Sequence, residues 1–375
     1  MSMTSAVPPS RPATATGPVI DMRFNHDLLV DIEDQGLVEK LFLPIKFALF
    51  DPDLAAAFEI HEKAASRAKH QSRRAGAFAV ALAVVALFGA SFELVYRYTV
   101  PELVTKVINY ASAGAGILSV AIALGGLLFA GAKRGWLANR MVAERLRQFH
   151  FQSVVQNLGL IAQATQDDAA RETFLSRRSI EFARFHARYA RHADAELAEL
   201  TADEGSAEVW AFPADPTPLA PGPALESLFA AYRELRFVPQ LQYVNFVLRK
   251  EAGLFSLATQ KLASALSVVA LSSVLAIFVL HMAYLAGLDG KLAHVAVLWL
   301  AIAALAMRTL EEGLQPGREI ERCRHYRSAL KALIEHYDAA HDPGEKQRVM
   351  REMEKLSFDE MVTFLRAGVE AKFVM

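Results

Sequence analysis

Charge is absent from four long stretches of this 375-residue chain. Residues 75–92, 107–132, 262–288 and 292–307 contain no Asp, Glu, Lys or Arg, although 22% of the chain as a whole is charged. Cysteine is almost absent too. The single Cys323 excludes an intramolecular disulfide and a cysteine metal cage, which suits a reducing compartment. Net charge is only -1, so no global attraction to nucleic acid is implied. The chain lacks Gly-x-Ser-x-Gly, His-Glu-x-x-His and a P-loop. His336 and His341 lie five apart, and His186 and His192 six apart, neither a recognised ligand spacing. No catalytic residue, metal or cofactor is expected, and Cys323 reads as structural. An alternating strand pattern is also missing, which points away from sheet.

What remains is helical and apolar. Mean hydropathy is +0.21 and 53% of residues are hydrophobic. A helix rises about 1.5 Å per residue, so roughly 20 residues cross a ~30 Å hydrocarbon core. The uncharged runs therefore predict four transmembrane helices in two hairpins, 75–132 and 262–307. The first run reaches full length if Glu93 sits at the headgroups, and the fourth is short. Lys69, Arg73 and Arg74 precede the first hairpin, and Lys133, Arg134 and Arg140 follow it. Arg249, Lys250 and Lys261 precede the second, and Arg308 follows it. The opposite side carries only Arg97, Lys106 and Lys291. The positive-inside rule then places both termini and the centre in the cytoplasm.

Around the hairpins the pattern divides further. Residues 1–20 are rich in Pro, Ser, Thr and Ala without an apolar core, so a disordered tail and no cleavable signal are expected. Residues 21–74 read as cytoplasmic helices, with Asp51-Pro52 as a helix start. Residues 133–200 read as an exit helix continuing directly from the second run, then a helix capped by Asp167 and Asp168. The stretch 201–224 holds Pro213, Pro216, Pro218, Pro221 and Pro223 and reads as a linker and domain boundary. Helices resume over 225–261 and again over 308–375, with a turn at His341-Asp342-Pro343-Gly344. Three matches recur in the same order and suggest a duplicated helix–hairpin–helix unit. They begin at Phe50 and Phe237, at Ala81 and Ala265, and at Glu144 and Glu321.

The second unit opens on Pro239-Gln240-Leu241-Gln242-Tyr243 and Arg249-Lys250-Glu251-Ala252. The first closes on Trp136-Leu137-Ala138-Asn139-Arg140, followed by Ala143-Glu144-Arg145. In these short motifs the unit resembles the SLATT superfamily, two-span effector domains of bacterial nucleotide-signalling and defence systems. This chain departs from that pattern in having two hairpins, and in carrying Asp53 and Ala56 where the first unit would have Gln and Tyr. The resemblance implies a non-enzymatic, signal-gated effector that oligomerises and perturbs or permeabilises the membrane, as in abortive infection. Its partners would be the bilayer, further copies of itself and a cytoplasmic nucleotide or oligonucleotide. The alternative is a membrane scaffold that docks cytoplasmic partners, and a transporter comes third.

Candidate residues follow from the chemistry of each run. Ala115, Ser119 and Ala123 share a helix face, and Gly125 and Gly126 belong to further small-xxx-small pairs. Small residues let helices approach closely in lipid, either inside one hairpin or between protomers. Glu93 is either an interfacial glutamate or one member of a carboxylate ring at a cation-selective mouth. His281 and His294 lie near the outer ends of their runs, where the interface tolerates them. Arg177, Arg184, Arg188 and Arg191 follow at spacings of seven, four and three on one face. That stripe is either a solvated face paired with Glu196, Glu199 and Asp203 or a phosphate-recognition site.

Overall fold

The computed structural model describes residues 26–29, 32–96, 100–128, 131–202, 208–248, 259–286 and 291–371. The expected tail 1–20 lies outside them. Among the described residues the chain is all-helical, without strands. In order the helices are α1 (Ile32–Phe42), α2 (Lys46–Leu49), α3 (Pro52–Tyr96), α4 (Glu102–Leu128), α5 (Gly131–Val155), α6 (Leu158–Ala164) and α7 (Asp168–Thr201). Then come α8 (Pro223–Tyr232), α9 (Val238–Val247), α10 (Thr259–Leu285), α11 (Lys291–Leu314), α12 (Pro316–Ala339) and α13 (Pro343–Glu370).

Helix α3 begins where the sequence predicts. The Asp51 carboxylate accepts from the backbone N–H groups of Asp53 and Leu54, and Pro52 takes the first helical position. No proline follows within the helix, so it runs unbroken for 45 residues, about 67 Å. Its first turns bury Leu54 and Phe58 and its later part is apolar. α4 packs antiparallel on that later part. Ser119 donates to the Ala79 carbonyl at 2.9 Å, and Gly89 faces Ser112. α5 carries on along α3 in the same antiparallel sense, with Arg140 bonded to Glu62 at 2.7 Å and Asn139 to His61 at 2.9 Å. The sequence predicts one helix leaving the second run; the stretch that would join α4 to α5, 129–130, lies outside the described residues.

α10 packs on α11, and α11 in turn touches α3. Trp299 Nε1 donates to Ser91 Oγ at 2.7 Å, with its ring edge-on to Phe88 at 5.5 Å. Four helices are long and apolar enough to cross a membrane, in α3, α4, α10 and α11. Between 11% and 17% of their apolar windows is buried within the chain. They are thus not core helices of a globular protein.

The remaining helices share one core that runs from Leu28 to Leu365 and draws residues from before, between and after the apolar pairs. α5 lies at its centre, with Met141, Leu146 and Phe149 fully buried against α7 and α13. Phe149 meets the rings of Phe182, Phe185 and Phe212. α7 is capped by Asp167, which accepts from Ala169 N–H, and it kinks at His192 (φ -130°, ψ 22°). Asp342 caps α13 by accepting from Glu345 N–H at 2.9 Å, and Pro343 follows. Between α8 and α9, residues 233–237 form a wide π turn. Pro239 lacks the N–H that residue 235 would need for an α-helical bond, which explains the widening. α11 and α12 are divided at Gln315, which is left-handed (φ 44°, ψ 43°), because the following Pro316 disfavours the right-handed helical region.

The proline-rich stretch departs from its expected role. Residues 208–222 have no helix, as the composition predicts, yet they form a strap seated on α5 and α6 and not a free linker. Arg145 donates to the Glu208 and Val209 carbonyls. Gln152 bonds Val209 O at 3.0 Å and accepts from Ala211 N–H at 2.6 Å. Asp215 N–H reaches the Gln156 carbonyl at 2.9 Å. Phe212 is 1% exposed. The prolines supply few donors of their own, and α5 provides the partners. Residues on both sides of the strap join one core, so it does not separate two.

Candidate functional site

The small-residue face on α4 is divided by the fold. Ser119 is buried against α3 and its hydroxyl is used within the pair. Ala115 is half-buried and Ala123 exposed, while Gly114, one residue before Ala115, has open space around it. Part of the stripe therefore serves packing inside the chain, and part faces outward. Gly125 and Gly126 lie in α4 and Glu93 in α3, but their surroundings fall outside the described residues. On α10 and α11, the His294 ring meets Tyr284 edge-on at 5.4 Å.

The four arginines of α7 do not converge on one spot. Arg177 bonds Asp215 of the strap at 2.7 Å. Arg184 pairs with Glu181 at 2.9 Å and is 71% exposed. Arg188 forms two bonds to Glu196, at 2.6 and 2.8 Å, and so bridges the kink at His192. Arg191 is exposed. Arg184, Arg188 and Arg191 remain near solvent, whereas Arg177 anchors the strap.

Sequence reasoning missed a second set of charges, buried in the helical base formed around the shared core. Arg140 on α5 reaches Glu62 and Glu144. Arg147, two turns along, reaches Glu144 and Asp27, the latter at 2.9 Å. Burial alone would raise the Glu144 carboxyl, but Arg140 and Arg147 outweigh it and hold the group down at about 2. Arg236, in the π turn, binds Glu354 of α13 through Nε at 2.9 Å and a second nitrogen at 3.0 Å, and Tyr232 O–H donates to the same carboxylate at 2.7 Å. Burial pushes Glu354 up. The converging hydrogen bonds from Arg236 and Tyr232 pull against that rise, and Glu354 in turn holds Arg236 above its usual value. Arg178 pairs with Asp51 at 3.1 Å and donates to the carbonyls of Phe47, Ala48 and Phe50, satisfying the end of α2.

Two buried groups complete the picture. Burial, with Arg178 and Arg236 nearby, lowers His150 to about 3, so its ring is neutral. Burial raises the Cys323 thiol to about 12, so it stays protonated. The chemistry of these charges is positional. They bind α3, α5, the π turn and α13 in one register, since a buried charge is costly unless its partner is in place. The spacing of Arg140, Glu144 and Arg147 on one helix face is a signal visible in the sequence, but their partners lie too far along the chain to be paired by inspection. Among the described residues no group of His, Cys, Asp and Glu is arranged to hold a metal ion. Comparison of the chain with protein-family models, curated proteins and solved structures gives no match, so its function must be argued from this geometry.

Proposed function

We propose that the protein is a multi-pass membrane effector, with α3–α4 and α10–α11 as two hairpins and the shared helical base on the cytoplasmic side of a bacterial inner membrane. One observation carries the membrane assignment: the apolar windows are exposed, with at most 17% buried in any of them. Such a surface needs lipid or partner helices. The base joins the apolar region through the unbroken α3, so a change of the base is felt by the spans. Between the hairpins Ser91 of α3 accepts from Trp299 of α11, and within the first hairpin Ser119 of α4 donates to the Ala79 carbonyl of α3. A pore in this reading forms between copies of the chain, using outward small residues such as Ala123, and it opens on a cytoplasmic signal to depolarise the cell. The exposed Arg184, Arg188 and Arg191 face that signal, a nucleotide or oligonucleotide in the defence-effector reading.

The test is potential-sensitive dye fluorescence during induced expression, with carbonate extraction of the same cells. Depolarisation by a carbonate-resistant protein is expected. It should weaken in Glu93→Gln and fail in Glu93→Lys if the carboxylate lines the mouth. Equal depolarisation by all three removes Glu93 from the path. A carbonate-resistant protein that leaves the potential unchanged under its cognate signal is instead a scaffold.

A further inference from the structure

α5 and α6 hold the strap chiefly by its backbone. The Gln152 amide donates to the Val209 carbonyl at 3.0 Å and accepts from Ala211 N–H at 2.6 Å. One side chain thus bonds a carbonyl and an N–H two residues apart, as a residue of a parallel strand does with its neighbour. Arg145 donates to the carbonyls of Glu208 and Val209 at 3.1 and 3.2 Å, and the Gln156 carbonyl accepts from Asp215 N–H. Gly159 leaves room for the Thr217 carbonyl, which a Cβ would strike. Arg145, Gln152, Gln156 and Gly159 follow at spacings of seven, four and three, and so form one track along α5 and into α6.

The track is oriented by partners outside the strap. Arg145 donates to Tyr189 Oη and to Gln148 Oε1, each at 2.8 Å. Arg145 and Gln152 are 4% and 0% exposed. Two positions read side chains. Phe212, the one fully buried residue of the strap, lies 5.4 Å from the Phe149 ring and 5.8 Å from the Arg177 guanidinium. Three residues later the Asp215 carboxylate accepts from Arg177 at 2.7 Å. Pro213, Pro216, Pro218 and Pro221 are exposed and suit an extended backbone without internal bonds. Backbone bonds along a groove, with pockets for a few side chains, are the means by which proteins recognise extended peptides.

We propose that this groove is a peptide-recognition site, occupied in cis by the chain's own strap. Its ligand in trans is an extended segment of a partner protein, with an aromatic residue and an acid three positions later. The strap is the image of that ligand and holds its place until the ligand arrives. Bonds to the backbone are indifferent to sequence, so another chain can make them. Apart from Phe212 the strap stays partly or fully exposed, so few apolar contacts resist its release. The groove is a second input, separate from the outer arginines of α7, and it does not depend on the membrane reading.

The test uses a fluorescein-labelled peptide with the sequence of residues 208–216, titrated into the detergent-purified full chain and followed by anisotropy. A tethered segment competes at an effective concentration on the order of millimolar, so the wild type should bind the peptide weakly. Phe212→Ala removes the anchor of the cis strap and leaves the groove intact. Gly159→Ala pushes the strap off at Thr217, beyond the end of the peptide. Each should tighten binding by about tenfold or more. Slow alkylation of Cys323 identifies which of the two remains folded for the titration. In that background, alanine in place of the peptide's phenylalanine should weaken binding by about tenfold or more. Arg177→Gln should weaken it too, and should lose nothing further when the peptide carries asparagine in place of its first aspartate, since the two groups act as a pair. Saturable binding that follows this pattern supports the site. No saturable binding to a folded, strap-loosened variant overturns it, as does equal binding of the alanine peptide, and the strap is then a fixed part of the core. Carbonate extraction decides the membrane reading independently of either result.

Discussion

Glu354→Gln isolates the charge of one buried pair. Arg236 and Glu354 have side-chain exposures of 2% and 0%. The substitution keeps an oxygen for the Tyr232 hydroxyl and nearly the same volume, but it leaves the Arg236 guanidinium without a counter-charge. Breaking a buried ion pair from one side costs about 3–5 kcal/mol, and the retained acceptor favours the lower end. Cys323 reports that cost directly. It is the only thiol, 1% exposed, and its raised pKa suppresses reaction in the closed base. Alkylation therefore proceeds through opening. At roughly tenfold per 1.4 kcal/mol, about 3 kcal/mol accelerates labelling on the order of a hundredfold. The measurement is the labelling rate of the detergent-purified full chain under conditions of fast reclosing. The paired variant Arg236→Met with Glu354→Leu removes both charges and should return close to the wild-type rate, since apolar replacement of a buried pair is often neutral or stabilising. A Glu354→Gln rate within about threefold of wild type would refute the argument, because an effect that small lies below 1 kcal/mol.

Four further outcomes are expected. His150 is held at about 3, against 6.5 when unfolded. Below pH ~6.5 the unfolded chain binds a proton that the folded one refuses, so stability falls with acidification at up to about 1.4 kcal/mol per pH unit until pH ~3. His150→Leu should shrink the drop in melting temperature between pH 7 and pH 5 by a few degrees, and an identical drop would show that another group sets it. A Cβ at Gly159 would collide with the Thr217 carbonyl oxygen and lie 2.8 Å from that of Pro218. Gly159→Ala should therefore lift the strap, seen as faster limited proteolysis within 208–222, while unchanged cleavage would mean that the strap shifts without leaving its seat. Gly89→Leu should overpack α3 against α4 and cost about 1–3 kcal/mol in thermal melts, whereas Gly114→Leu, with open space, should leave the monomer's melt unchanged. Arg184→Ala with Arg188→Ala should cost no more than about 1 kcal/mol per exposed pair, so an altered signal response at normal protein level assigns these residues to regulation.

The apolar helices were legible because missing charge is a property of composition and needs no partner. Helix starts were legible for the same reason. Asp51 and Asp167 cap through N–H groups two or three residues away, and a short window contains both members of each bond; Asp342, read only as part of a turn, caps α13 in the same way. The strap was not legible. Its seat depends on Arg145, Gln152 and Gln156, more than fifty residues upstream of the groups they bind, and composition alone reads as a linker. The arginine stripe was legible in part. Arg188 pairs with Glu196, as the solvated-face reading has it, whereas Arg177 is claimed by Asp215 of the strap, a partner that helical spacing does not encode. Ser119 shows the same limit, since a small residue fits an internal contact and an external one equally well.

The shared core also dictates an order of events during synthesis. Leu28 and Phe58 emerge before the first apolar helix, while Met350, Met353 and Leu365 emerge after the last. At about 5–20 residues per second, roughly 15–60 s separate Phe58 from Met350 on the ribosome. Through that interval the part of the apolar core made before α13 stands open, and in the membrane reading proposed above the first pair of helices already holds it beside the bilayer. A chain stalled before α13 would stay in that state, with Arg236 buried or exposed but without Glu354 to meet it.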